Sequence, residues 1–203
     1  WAFSLLAAHG LNLLVFVASV KTILEWKDST EALAFYGVYH RNPLNQIIHF
    51  FGVPLILWTQ LVFSSHLILV RIVVPFVQPV HYVSWATVWA ILYVCFYLKI
   101  DAFGALLYAP VLFGMYATAI RWAAHDQQEY VKRSKRTHWM GTGRLLQYAS
   151  FFHVLGWYVQ VHPGHFIFEG AAPAALRSLG GAITTAPLFA FYEGVWYCGF
   201  AKE

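Results

Sequence analysis

Tyr39-His40-Arg41-Asn42-Pro43-Leu44-Asn45-Gln46-Ile47-Ile48-His49 gathers two histidines, two asparagines and a proline directly before a long apolar run. Proline suits the first position of a helix, where its missing N–H costs nothing, and Asn42 is a good cap before it. The spacing predicts a helix starting at Pro43, with Asn45 and His49 at i and i+4 on one face. His40 falls just before that helix, free to turn back towards its N-terminal end. A second polar knot, His153 through Glu169, lies far down the chain. Both sit at the ends of apolar segments, and we read them as meeting around one metal ion.

The surrounding sequence sets the solvent. The chain has 203 residues, 60% hydrophobic and only 11% charged, where a soluble domain carries about 25%. The mean hydropathy of +0.57 agrees. The apolar runs are continuous, not alternating, which excludes a transmembrane barrel. The expected fold is an all-α, polytopic transmembrane helical bundle of five to six membrane segments. It forms a single integral membrane domain over residues 1–203, with a histidine metal site at helix ends. The net charge of +4 is too small and too local to suggest a nucleic-acid partner. Cys95 and Cys198 lie in apolar runs and are expected as small buried hydrophobes. The chain begins at Trp1 and not Met, so residues are expected to precede it and no targeting signal is legible.

Taken in order, residues 1–20 are uncharged and long enough to span a hydrocarbon core of roughly 30 Å. Asp28-Ser29-Thr30-Glu31 supplies cap candidates for a short helix running towards His40. Phe50 to Val74 reads as a second span, with Pro75 and Pro79 marking the turn after it. Tyr82 to Leu98 reads as a third, and Ala102 to Ile120 as a fourth, with a kink at Pro110. His125 to Arg144 is the main polar segment. It carries Lys132, Arg133, Lys135, Arg136 and Arg144, and reads as a headgroup-facing cytoplasmic loop or as the source of a cation for a substrate carboxylate. Leu145 to Val161 is a fifth segment, broken by Pro163-Gly164. Residues 171–200 are a sixth, loosened by Pro173, Gly180, Gly181 and Pro187. Four spans separate the two polar knots, so both emerge on one membrane face, opposite the basic loop.

Of the ten histidines, His9 and His66 read as packed or interfacial, and His81, His125 and His138 as surface groups. His40, His49, His153, His162 and His165 cluster near helix ends. An ionisable group at membrane depth needs a partner, and neutral imidazole binds Fe, Zn, Cu or Ni. Glu169, four residues after His165, is placed either to ligate the metal or to accept the distal N–H of a ligand histidine. Asn42, Asn45 and Gln160 are candidates to orient ligands or substrate by hydrogen bonds. A set of hydrogen-bonded interfacial histidines is the alternative that these residues leave open.

The first knot, Tyr39-His40-Arg41-Asn42-Pro43 with Asn45, Ile48-His49 and Phe51-Gly52-Val53-Pro54, resembles the N-terminal signature of a known membrane family. His153, Trp157, Gln160, Gly164-His165, Phe168-Glu169 and Pro173-Ala174 resemble its second signature. Together they frame about residues 30–176. The family is that of the fungal 2-hydroxy fatty acid dioxygenases. The resemblance implies an endoplasmic reticulum membrane enzyme that requires Fe(II). It would use O2 to shorten a long-chain 2-hydroxy fatty acid by one carbon with release of CO2, a step of α-oxidation in phytosphingosine breakdown. It carries the iron-ligand role to His40, His49, His153 and His165. His162 is an addition in this chain's His-Pro-Gly-His version of the motif. Four imidazoles leave two octahedral positions for O2 and substrate, which is tight.

Two rivals stand beside this reading. A di-iron desaturase or hydroxylase would resemble His-x-x-His-His boxes, and this chain has no adjacent His-His pair. A histidine-rich metal-binding protein or transporter without oxygenase activity would carry its ligands in mid-span pairs, not at segment ends.

Overall fold

The computed structural model describes residues 2–26, 28–72, 81–134 and 143–200. Among them seven α-helices run in order: α1 Ala2–Glu25, α2 Ser29–Val38, α3 Pro43–Ser65, α4 Trp85–Ile100, α5 Ala102–Ser134, α6 Arg144–Val159 and α7 Leu179–Tyr197. A two-stranded hairpin, β1 Ile68–Ile72 and β2 His81–Ser84, lies between α3 and α4. The fold is therefore helical, as its composition implies, with one small antiparallel addition.

The helix starts follow local chemistry. Asp28 accepts the backbone N–H of Glu31 and opens α2. Asn42 Oδ1 accepts the N–H of Leu44 at 2.9 Å, with Pro43 in the first turn of α3. α3 is the central post, packed against α4, α5, α6 and α7. An aromatic core of Trp89, Tyr93, Phe96, Tyr97, Tyr108 and Phe189 fills the space beside it. Leu6–Glu25, Pro43–Ser65 and Ala102–Lys132 are long and apolar enough to cross a membrane, while α4 is apolar but shorter. α1 and α5 turn Leu6, Leu14, Phe103 and Phe113 outwards, an apolar surface that water-soluble proteins do not expose on this scale.

Several segment boundaries differ from the sequence reading. The second apolar run does not continue to Val74: α3 ends at Ser65, and Ile68–Ile72 pairs as a strand with His81–Ser84. The β-branched residues there suit a pleated edge. Pro75 and Pro79 lie outside the described residues. α5 runs through Pro110 and on to Ser134, so the first part of the basic segment extends the helix. Lys, Gln and Glu are good helix formers once past the apolar stretch. Lys135, Arg136 and His138 lie outside the described residues. Cys95 and Cys198 are free thiols on the exposed apolar surface, not buried ones.

The two ends of α3 carry different polar knots. At its C-terminal end His66 Nδ1 donates to the Val62 carbonyl, and its Nε2 lies 3.3 Å from the fully buried Asp126 carboxylate. Asp126 also accepts the N–H groups of Gly143 and Leu145 at 2.9 Å, anchoring the start of α6. This end is roughly 25 Å along α3 from His49. Arg144, one residue from the anchored Gly143, is thus remote from the other knot, which removes it as a holder of substrate there.

Candidate metal centre

At the N-terminal end of α3, three histidines converge. His40 sits in the turn between α2 and α3. Its ring stacks on Tyr36 with centroids 3.8 Å apart, and its Nδ1 donates to the Tyr36 carbonyl at 2.8 Å. His49, one turn after Asn45, donates from Nδ1 to the Asn45 carbonyl at 2.9 Å. A neutral imidazole whose Nδ1 carries the proton presents its Nε2 lone pair. Both rings are thus fixed in the tautomer that a metal ligand needs.

His165 completes the group from the other end of the chain. Beyond Val159, α6 widens into a π-helix, Gln160–Glu169, that carries the chain through Pro163. The sequence reading took Pro163-Gly164 as a break. Proline removes one donor and crowds the preceding turn, and the wider turn absorbs both without ending the helix. Gly170, at φ 66°, closes the segment, its N–H donating to the His165 carbonyl. Such widened turns recur at functional sites.

The ligand nitrogens of His40, His49 and His165 all lie within 4.8 Å of one another, and all three residues are buried. Ring centroids are 4.4, 5.2 and 4.9 Å apart, with mutual tilts of 75°, 66° and 81°. Rings at such angles are not stacked, and their ligand nitrogens lie close enough together to share one ion. His40 Nε2 and His165 Nδ1 are buried with no hydrogen-bond partner. An unpaired buried imidazole nitrogen costs on the order of 1–3 kcal/mol, a deficit that a metal ion removes. The set of neutral imidazoles, free of thiolate and carboxylate, fits a first-row transition metal.

Glu169 holds the two knots together. Its carboxylate accepts the N–H of Arg41 at 2.8 Å, and the Asn42 N–H and Asn45 Nδ2 at 3.0 Å each. Asn42 Nδ2 adds a bond to the Phe168 carbonyl at 2.7 Å. Burial alone would raise the Glu169 pKa, but these donors outweigh it and hold the carboxylate below its usual range. The partners that Glu169 finds are thus mainly the exposed N–H groups at the start of α3, which attract an anion.

His40 stays neutral. Burial lowers its pKa from 6.5 to about 4, with repulsion from His165 adding to the effect and the Tyr36 carbonyl opposing it. Between those values the unfolded chain takes up a proton that the folded chain refuses. The contribution is complete above about pH 6.5 and is lost as pH falls towards about 4, by on the order of 3 kcal/mol. Thermal unfolding of metal-free protein across that range will show this slope, and His40→Gln will reduce it.

An apolar pocket opens beside the three rings, lined by Phe35, Tyr36, Val53, Trp157, Gln160 and Ala186 among others. With this geometry in view, comparison with known proteins is decisive. A family described as Mpo1-like, 2-hydroxy-palmitic acid dioxygenase Mpo1-like, matches residues 26–195. The chain belongs to the Mpo1-like family. The 2-hydroxy-palmitic acid dioxygenase MPO1 of Saccharomyces cerevisiae is 29% identical over 175 residues, which cover 85% of this chain and 83% of that protein. No solved structure matches. The match confirms the family read from the two signatures, and it reaches beyond them through most of α7.

Not every motif residue of this Mpo1-like chain lies at the three rings. His153 is on α6, where its Nδ1 donates to Thr59 Oγ1 at 2.8 Å and its Nε2 accepts the Trp157 indole N–H at 3.0 Å. Thr59 Oγ1 in turn donates to the Leu55 or Ile56 carbonyl. Both His153 nitrogens are therefore used, and Thr59 is roughly 15 Å along α3 from His49. His162 stacks on Tyr158, centroids 5.5 Å apart, on the exposed side of the π-helix. Gln160 is buried and packs onto Gly52, donating to the Gly156 carbonyl.

Four residues of the surround are not singled out by the sequence analysis. Tyr36 stacks on His40 and donates from its hydroxyl to the buried Glu193 at 3.1 Å. Gln46 Nε2 donates to the His40 carbonyl, while Tyr197 donates to Gln46 Oε1. Glu193 did leave a signal, as a lone carboxylate in an apolar helix. Tyr36 left only its position, one turn before His40.

Proposed function

We propose that the chain is an Fe(II)-dependent dioxygenase. It converts a long-chain 2-hydroxy fatty acid and O2 into the fatty acid one carbon shorter, CO2 and water. The observation that carries this reading is the convergence of His40, His49 and His165 at the head of an apolar pocket. The relative named as a 2-hydroxy-palmitic acid dioxygenase supports it. The stoichiometry closes without an external reductant, since the 2-hydroxy acid supplies all four electrons that reduce O2.

His40, His49 and His165 would hold the iron. Three imidazoles leave three octahedral positions, which relieves the crowding that four would impose. Bound Fe(II) would supply the redox centre and the Lewis acid that bring O2 and the α-hydroxy carboxylate together. Tyr36 and Asn45 fix the orientation of His40 and His49 through their carbonyls. Glu169, Asn42 and Asn45 keep the start of α3 against the π-helix, and Gln160 lines the pocket. In this reading His153 acts through Trp157, whose indole it holds in the pocket wall. The apolar walls exclude water around the reacting carbons.

The chain would act as a single integral membrane domain, in the endoplasmic reticulum of a eukaryotic host. The apolar helices α4, α6 and α7 would bring the membrane segments to five or six, with the acyl chain supplied from the bilayer.

The test is anaerobic purification in detergent, loading with Fe(II), then addition of a long-chain 2-hydroxy fatty acid and O2. The reading expects the acid one carbon shorter, with O2 consumed in equal amount. Metal bound without that product would overturn the dioxygenase reading and favour a metal-binding or transport role.

A further inference from the structure

Residues that line the pocket beside the histidines run along two helices, α3 and α7. On α3 its lining residues include His49, Val53, Leu57 and Gln60, successive turns of one helix face that extend roughly 16 Å from the metal end. α7 forms the facing wall. Its Glu193 meets Tyr36 at the level of the histidines. Ala186 lies about 10 Å along α7 from that point and Ala182 about 16 Å. Both alanines line the pocket, and both are half-buried. At the far end the buried Tyr93 donates to the Ile183 carbonyl at 3.3 Å, tying α4 to α7 as a floor.

We infer that this pocket holds the acyl chain of the substrate in extended form, and that Ala186 and Ala182 act as two graduations that set how long a chain it accepts. The inference rests on the dioxygenase reading for the identity of the head group, which the three histidines would receive. An apolar tail is favoured by the walls themselves, whatever the head group. The walls beyond the histidines are mostly hydrocarbon, with Gln60, Gln160 and Thr185 as the polar exceptions, and the histidines themselves belong to the lining. Alanine at i and i+4 on one helix face keeps the lumen open, and a larger side chain at either position fills it. Because the two positions differ by about 6 Å of helix, they block the lumen at different depths.

The experiment uses the full chain and two readouts. Displacement of a fluorescent fatty acid by fatty acids and 2-hydroxy fatty acids of graded length is measured on metal-free protein. The product profile over the same series is measured on Fe(II)-loaded protein. Ala186→Phe is expected to bind short acids as the parent does and to lose affinity for long ones, roughly tenfold for every two methylene groups excluded. Ala182→Phe is expected to lose only the longest. Ala186→Leu guards against a misfolded Ala186→Phe, and must shift the length profile in the same direction. Parent-like profiles in Ala186→Leu and Ala182→Phe would overturn the inference. Absence of the shortened product in the parent would remove the dioxygenase reading alone. The length dependence of binding would still decide the role of the two alanines.

Discussion

His49→Ala will lower metal affinity by more than about 100-fold while the helical content of the protein stays as it was. Loss of a partner one bond away from a metal ligand already costs 10–100-fold, and His49 is proposed as a ligand itself. Its Nδ1 is committed to the Asn45 carbonyl, so its Nε2 is the atom that the site loses. The ring also stands between His40 and His165, at 4.4 and 4.9 Å between centroids, and two imidazoles cannot close the same cage. Equilibrium dialysis against Fe(II) or Co(II) measures the loss directly, and circular dichroism checks the fold. His153→Ala is the matched control. Its nitrogens are engaged by Thr59 and Trp157, so metal affinity should change only a few-fold. A 100-fold loss there would return His153 to the ligand set.

Gly164→Leu will cost nearly as much without touching a histidine. A Cβ at position 164 would lie 2.7 Å from Asn45 Oδ1, and the His49 ring follows at 3.6 Å. Asn45 cannot swing aside freely, because its amide is bonded to Glu169 and to the Tyr39 carbonyl. The π-helix must therefore lift away from α3, and His165 lifts with it. Overpacking of this kind destabilises by about 1–3 kcal/mol. The displacement also spreads three nitrogens that one ion must reach together, with an expected loss of metal affinity on the order of 10–100-fold. Gly164→Ala should fall between the parent and the leucine variant. Retention of parent affinity in Gly164→Leu would show that the close approach of the two knots is not what builds the site.

Much of this candidate site is legible in the sequence, and the reasons are local. Asn42-Pro43 announces a capped helix start, and capping depends on side chains adjacent in sequence. His40 and His49 flank that start, so their meeting needs only a turn. The meeting with His165 rests on the clustering of histidines at segment ends and on the family resemblance; the four apolar segments between the knots only allow it, and four helices, α3 to α6, do intervene. Long-range partners were harder. Nothing in the spacing around His153 says that Thr59 and Trp157 await its two nitrogens, because which face of α6 meets α3 is a packing outcome. Glu169 read as a ligand or a partner to a ligand. The unsatisfied N–H groups of Arg41 and Asn42, which it caps, become visible only when the two chain ends meet. Pro163-Gly164 read as a break because proline usually ends an α-helix. A widened turn keeps the helix and swings His165 inwards. The strand Ile68–Ile72 was hidden in a run whose hydropathy fits a span equally well, since a short apolar run does not distinguish the two.

The proposed single metal ion, held by His40, His49 and His165, is open to X-ray absorption at the iron edge on protein loaded with Fe(II) under anaerobic conditions. The expected spectrum contains the outer-shell scattering of about three imidazoles, reduced by one in each of His40→Ala, His49→Ala and His165→Ala in whatever iron they retain. A spectrum without imidazole scattering, or one unchanged by all three substitutions, would contradict it.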